Sequence, residues 1–437
     1  MTIETVVQNS SPNLIISSAE RIKKSAFIKS RWLYRNIYRS DVIDTIKRED
    51  NSAPSKPDHL AQYIAASTVL HCCDGWKFFS LGMDNLLNGD SANSVFMAYY
   101  AQLRALMAYF ATEGIGIFNN KHFYFDNRGD CFFFKSNTHD VVKNLINAWA
   151  QDKAKSPRFL NVLKLEGRPF SDWISSADVV LGSPTIPEVA KDWLQAWSID
   201  LKILGEDHTR RNEVSYRPQG ITKLPTSRHF ENDLSMCLEA WKVTEPFAAN
   251  RFAILDQILL RKILLAVYER RKTTRMDFEQ FVATSMVNLG LGTDSRLYRV
   301  MTSSNPITNE ILKNAEKTAF HKTTGTDPVP VLCRAFILLR IASAAVENFL
   351  EKSSISSSDI EFWWSNFGIN NGLWTPGNPP EQMSDLWSDI DEAILGLEDF
   401  LDQADTNICV TQAHYSVPYE LWQVKQFTKA GLWAIGL

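Results

Sequence analysis

Glycine and proline are scarce in this chain, at 19 and 17 of 437 residues. That shortage excludes collagen-like repeats and disfavours an all-β architecture built on many tight turns. Cysteine is scarcer still. The six cysteines, at positions 72, 73, 131, 237, 333 and 409, contain no CxxC pair. They read as reduced core thiols rather than a disulfide framework. His71 beside Cys72 and Cys73 raises a metal reading, but three consecutive side chains do not converge readily on one ion. The eight histidines include no pair at i, i+3 or i, i+4. No metal and no cofactor are expected. Long apolar runs are missing too. The two most apolar stretches, 254–268 and 329–346, are each interrupted by basic residues (Arg261 and Lys262; Arg334 and Arg340). No membrane span is therefore expected. Residues 1–18 are polar and lack the layout of a signal peptide, which points to a cytoplasmic location. Phosphate-loop, dinucleotide, nucleophile-elbow and HExxH zinc signatures are absent.

What is present is an ordinary globular balance, 45% apolar and 22% charged, with ample material for a core. The net charge of −4 conceals a strong polarity. Nine Lys/Arg between residues 21 and 48 face only Asp41 and Asp44, whereas thirteen Asp/Glu from Glu351 onward face three lysines. Such asymmetry suggests that an anionic partner meets the front of the chain. Within the basic stretch Lys24, Arg31, Arg35 and Arg39 recur at helical spacing, with Trp32 and other aromatics interleaved. Cations and ring faces together suit the backbone and splayed bases of a nucleic acid. The alternative is an amphipathic helix that packs its aromatics on the body and solvates its cations.

Apolar residues return every three or four positions through most of the chain, predicting a mainly α fold. Asp90 or Ser91 caps a helix ending at Gly114, and Asn137 or Thr138 caps another. Between them lie the short apolar runs 115–118, 123–125 and 131–134, with an Asn127-Arg128-Gly129 turn, predicting a small hairpin or meander. Thr185-Ile-Pro187-Glu188 is a helix start. Further helices are expected at about 230–245, 249–272, 276–289, 306–320, 328–351, 357–367, 382–404 and 418–434. The organisation reads as a basic aromatic N-terminal arm with its linker (1–58), a helical core (59–275) and an acidic C-terminal helical region (276–437).

The densest polar cluster, 205–218, contains His208, Arg210, Arg211, Asn212, Tyr216 and Arg217. Such a group can hold a phosphate, arginine by its planar fork and Asn and Tyr by added hydrogen bonds. Equally, it can anchor a helix–helix junction. A small-molecule nucleotide sensor built on 210–217 is a third reading. Arg211-Asn212-x-x-x-Tyr216 resembles a variant of the HEPN superfamily signature, an Arg, a polar residue, spacers and then His. Tyr216-Arg217-Pro218 is similar to a large bacterial YaaC-like branch, and Tyr99-Tyr100-Ala-x-Leu-Arg104-Ala105 looks like an early helix of such members.

The resemblance spans about residues 90–270 and implies a HEPN-like helical bundle. It implies an RNA-directed protein, if an enzyme a metal-independent endoribonuclease or toxin of a bacterial anti-phage or toxin–antitoxin system. Homodimer formation and a protein partner from the same operon go with it. Arg211 would then hold the scissile phosphate and Asn212 orient the site, with Arg210, Arg217 and the basic arm binding RNA. The catalytic His position falls on Tyr216, a poor base at neutral pH, with His208 as the candidate to replace it. The alternative is a non-catalytic helical RNA-binding or protein-interaction subunit of a defence complex.

Overall fold

A computed structural model describes residues 1–49, 54–177, 192–216, 230–246, 251–270, 276–304, 309–317, 327–403 and 408–437. The fold is mainly α. Eight helices place the site: α1 Asn13–Ser25, α2 Pro57–Leu87, α3 Ser91–Thr112, α4 Thr138–Gln151, α5 Leu201–Tyr216, α6 Ala253–Arg270, α7 Val329–Lys352 and α8 Leu386–Gln403. Helix α3 starts where Asp90 accepts a hydrogen bond from the Asn93 N–H at 3.0 Å. It is apolar on nearly every side, so it requires neighbours all round. Helices α2, α5 and α7 supply them.

Helix α7 is long and apolar enough by composition to cross a membrane, and its apolar stretch lies buried in the core while Glu351 and Lys352 at its end are exposed. The arginines that interrupt it are held by carboxylates from other helices. Arg334 is bidentate with Asp207 of α5 (2.8 and 2.5 Å), and Arg340 with Asp256 of α6 (2.9 and 2.7 Å). Fork-to-carboxylate pairing of this kind fixes the rotation of each helix as well as its depth.

The expected meander is present. Strands β1 (Ile115–Gly116), β2 (Lys121–Phe125) and β3 (Cys131–Lys135) form one antiparallel sheet in that order, with Phe123 opposite Phe133. Its turn is set by Asp126, whose carboxylate accepts from the N–H groups of Arg128 and Asp130, both at 2.9 Å. A second, two-stranded sheet, β4 (Lys164–Leu165) with β5 (Arg168–Pro169), has no signal in the sequence pattern. The helices expected at about 230–245, 276–289 and 328–351 are present. Of 249–272 and 306–320, Ala253–Arg270 and Glu310–Glu316 are helical, their ends lying partly outside the described residues. The 357–367 and 382–404 helices each open with a 3-10 turn, and 418–434 divides into Pro418–Val424 and Thr428–Trp433. The helix start at 185–188 lies outside the described residues.

Val6, Ile15, Ile22, Tyr38 and Ile46 belong to the same apolar core as Ile435, and α7 packs against α2 and α3 within it. One expectation is corrected: 24–39 is not a helix. Helix α1 ends at Ser25, a short 3-10 turn covers Phe27–Lys29, and the chain then runs irregularly with Ser30 and Arg35 at positive φ (52° and 53°). Burial of the aromatics overrides the periodicity. Trp32 packs edge-on against Phe27 and Trp363, both with centroids at 5.4 Å, and the buried Tyr38 donates its hydroxyl to Glu49 at 2.6 Å. One straight helix could not bring both rings to these partners.

Candidate anion-binding site

Helix α5 begins at Asp200, whose carboxylate accepts from the Lys202 N–H at 2.8 Å. A left-handed Ser198 (φ 63°) separates it from the preceding tryptophan-rich segment, so the polar cluster is helical rather than a loop. This places His208, Arg211 and Asn212 on one face, one turn apart, and turns Arg210 and Asp207 toward the core. Arg210 is only 3% exposed and lies 3.9 Å from the Asp207 carboxylate. Its expected contact with RNA is therefore replaced by a place in the buried Asp207–Arg334 network. Gln102 of α3 completes that network, donating to Asp207 at 2.9 Å.

Arg211 is 8% exposed, and no carboxylate of the described residues lies within ion-pair distance of it. Its guanidinium donates to the Asn212 side-chain oxygen (2.7 Å) and to His139 Nε2 (2.9 Å). It also sits over the rings of Tyr99 and Tyr100 at 5.4 and 5.7 Å. Among the described residues its buried Nε has no hydrogen-bond partner. A buried guanidinium without a counter-ion is costly, and an incoming anion relieves that cost.

The tautomer of His139 follows from this contact. Arginine only donates, so His139 Nε2 accepts and its proton sits on Nδ1. Nδ1–H then donates to the Tyr99 hydroxyl at 2.8 Å, leaving the hydroxyl proton free for another acceptor. His139 cannot be cationic in this arrangement. Burial, and then the Arg211 charge, pull it down to about 4. His208 stacks on His139 and Tyr99, with centroids at 5.0 and 5.5 Å. Burial first, and Arg211 second, hold it below the ordinary imidazole range. Neither ring nitrogen of His208 carries a hydrogen bond among the described residues. A narrow slot opens beside this stack, lined by Gln102, Leu106, Val142 and Lys143.

The remaining expected residues lie apart. Tyr216 is 80% exposed and joined to Arg211 by no hydrogen bond or ring contact. Arg217 falls outside the described residues. Lys24, Arg31, Arg35 and Arg39 are exposed, form no ion pair among the described residues and make no contact with the α5 cluster. His71 accepts from Arg104 at 2.7 Å, Cys72 meets Ser343, and no metal-ligating group of three forms among the described residues.

Sequence reading missed His139 and Asp207. His139 sits in the first turn of α4, where nothing local marks it. Its role depends on α3 bringing α4 and α5 together, a relation between distant segments.

The neutral imidazoles carry a consequence for acid stability. His71 is pulled down to about 3, and His122 and His139 to about 4, burial being the first cause of each. As pH falls below about 6.5, the unfolded chain takes up protons that the folded chain refuses, so stability declines. Each such group adds up to ~1.4 kcal/mol per pH unit to the slope. Urea unfolding at pH 7.5, 6.5 and 5.5 is expected to show a falling midpoint, and a flat profile would contradict the assignment.

Comparison with known protein families, with curated proteins and with solved structures finds no match.

Proposed function

We propose that the Arg211 cluster engages a phosphate of RNA and that the chain is a HEPN-like, RNA-directed protein acting without a metal. The observation that carries this reading is the buried Arg211 guanidinium, which lacks a carboxylate partner and lies beside an unencumbered, neutral imidazole. Arginine is suited to the two non-bridging oxygens of a phosphodiester. In metal-independent RNA cleavage the 2′-hydroxyl attacks the adjacent phosphorus, the P–O5′ bond breaks to leave a 2′,3′-cyclic phosphate, and the departing 5′-oxygen takes a proton from water. His208, neutral at pH 7, accepts that proton, and Arg211 stabilises the charge gathering on the phosphoryl oxygens. His139 holds Arg211 and Tyr99 in place rather than exchanging protons, because both of its nitrogens are occupied. The exposed cations Lys24, Arg31, Arg35 and Arg39 supply the salt-sensitive part of RNA affinity. A cytoplasmic role in bacterial defence, as a homodimer or with an operon partner, follows from the family resemblance.

A second reading, a non-catalytic RNA-binding subunit, is favoured by the exposed Tyr216 at the position where the signature carries its catalytic histidine. One assay separates the two. Purified protein is incubated with labelled single-stranded RNA in EDTA. Cleavage is expected, falling about 100-fold or more in His208→Ala and in Arg211→Ala. RNA that is bound but left intact selects the second reading. RNA neither bound nor cut at low salt refutes both. In the triple variant Arg31→Ala, Arg35→Ala, Arg39→Ala the slope of log affinity against log salt is expected to flatten by about 2.

A further inference from the structure

A cleft of about 650 Å³ lies apart from the Arg211 cluster and plays no part in it. That volume falls within the range that small-molecule sites occupy. Distant segments meet there: α2 contributes Lys77 and Asp84, the end of the 361–370 helix Asn370, the 418–424 helix Trp422, and the stretch after it Lys425 and Gln426. Polar groups converging from such distant positions are what a specific pocket requires.

The Lys425 stretch is rigid. The Ser80 hydroxyl donates to the Lys425 carbonyl at 2.5 Å, and Trp241 Nε1 donates to the Val424 carbonyl at 2.7 Å. Phe427 stacks on Trp241 with centroids at 4.1 Å and planes 13° apart. A wall held this firmly loses little freedom when a ligand arrives.

The lining chemistry narrows the ligand. Asp84 is the one carboxylate, and it is already paired with Lys425 at 2.9 Å. Lys77 forms no ion pair among the described residues, and Asn370, Asn371 and Gln426 add amide donors to the same lining. A neutral sugar, which recruits carboxylates to its hydroxyls, is poorly served. Trp422 adds an apolar face. At 43% exposed, it is the only exposed residue of the thirteen tryptophans, all of which are described. The other tryptophans are buried in the core or partly buried against it, and this one forms part of a cavity wall.

We propose that this cleft binds a small anion carrying a planar ring, the ring stacked on Trp422 and the anionic group held by Lys77. Two sources share that chemistry, a nucleoside monophosphate and an aromatic carboxylate. Calorimetric titration of the full chain with AMP, GMP, UMP and 4-hydroxybenzoate, against adenosine and inorganic phosphate, distinguishes them. At least one ring-bearing anion is expected to bind about tenfold or more tighter than adenosine or phosphate alone. Trp422→Ala and Lys77→Ala alter exposed side chains, so each is expected to weaken that ligand about tenfold while the melting temperature stays put. Arg211→Ala is expected to leave binding unchanged, which separates this site from the RNA reading. The proposal is overturned if no ring-bearing anion outbinds phosphate, or if affinity is lost in Arg211→Ala and kept in Trp422→Ala.

Discussion

Replacing Asp207 by alanine is expected to lower the unfolding free energy by about 3–5 kcal/mol, the cost of leaving buried charge uncompensated. Asp207 and Arg334 are both 0% exposed, and Arg210 stands on the same carboxylate at 3.9 Å. This carboxylate therefore holds the interior Arg334 guanidinium and stands beside a second one, that of Arg210. Gln102 would lose this acceptor and keep only the Val331 carbonyl, at 3.2 Å. Equilibrium urea unfolding of Asp207→Ala checks the size, and a loss under 1 kcal/mol would show that the charges had found other partners. The physical cause is tested by adding Arg334→Met. Removing the orphaned cation is expected to restore part of the stability, because apolar replacement of a buried pair is far milder than breaking it. The same carboxylate orients the helix that bears His208 and Arg211, so Asp207→Ala is also expected to weaken RNA engagement.

Gly114→Ala is expected to cost about 3 kcal/mol or more. The residue ends α3 at φ +87°, a conformation that penalises any Cβ. Added to this, a Cβ there would stand 2.2 Å from the Ser11 carbonyl oxygen, a backbone atom with no room to retreat. Ser11 is tied to the hairpin through its N–H to the Phe125 carbonyl at 2.8 Å, and the Phe125 N–H returns to Gly114 at 3.0 Å. Three segments meet at one glycine. Gly89→Ala is the matched control: φ is +77° and nothing lies within 4 Å, so only the conformational penalty of ~1 kcal/mol applies. Thermal unfolding that places the two variants together would refute the steric argument.

Much of the fold was legible because it is written in periodicity. The α3 pattern, its Asp90 cap and its stop at Gly114 can be read in sequence order, and so can the aromatic meander that follows. The 24–39 segment was misread because helical spacing of cations is indifferent to where Trp32 and Tyr38 must go. At the site, Arg211 and His208 stood out as polar residues crowded into a few positions. His139, Tyr99 and Asp207 take their roles from tertiary pairing, which no local window contains. Arg210 shows the converse: two adjacent arginines look alike in sequence, yet a helix turns them about 100° apart, one into the core and one toward the site.

Helix α7 has a consequence for the order in which the chain can be assembled. Its two partners, Asp207 and Asp256, lie well upstream and leave the ribosome first. Until residues 329–352 emerge, the faces of α2 and α3 that α7 covers lack that partner, Asp256 waits without Arg340, and Asp207 has Arg210 of its own helix but not Arg334. The nascent chain therefore leaves a groove where α7 will lie. It closes that groove late, by inserting a segment apolar enough to resemble a membrane helix. Truncated products ending before residue 329 are accordingly natural clients for chaperones and proteases.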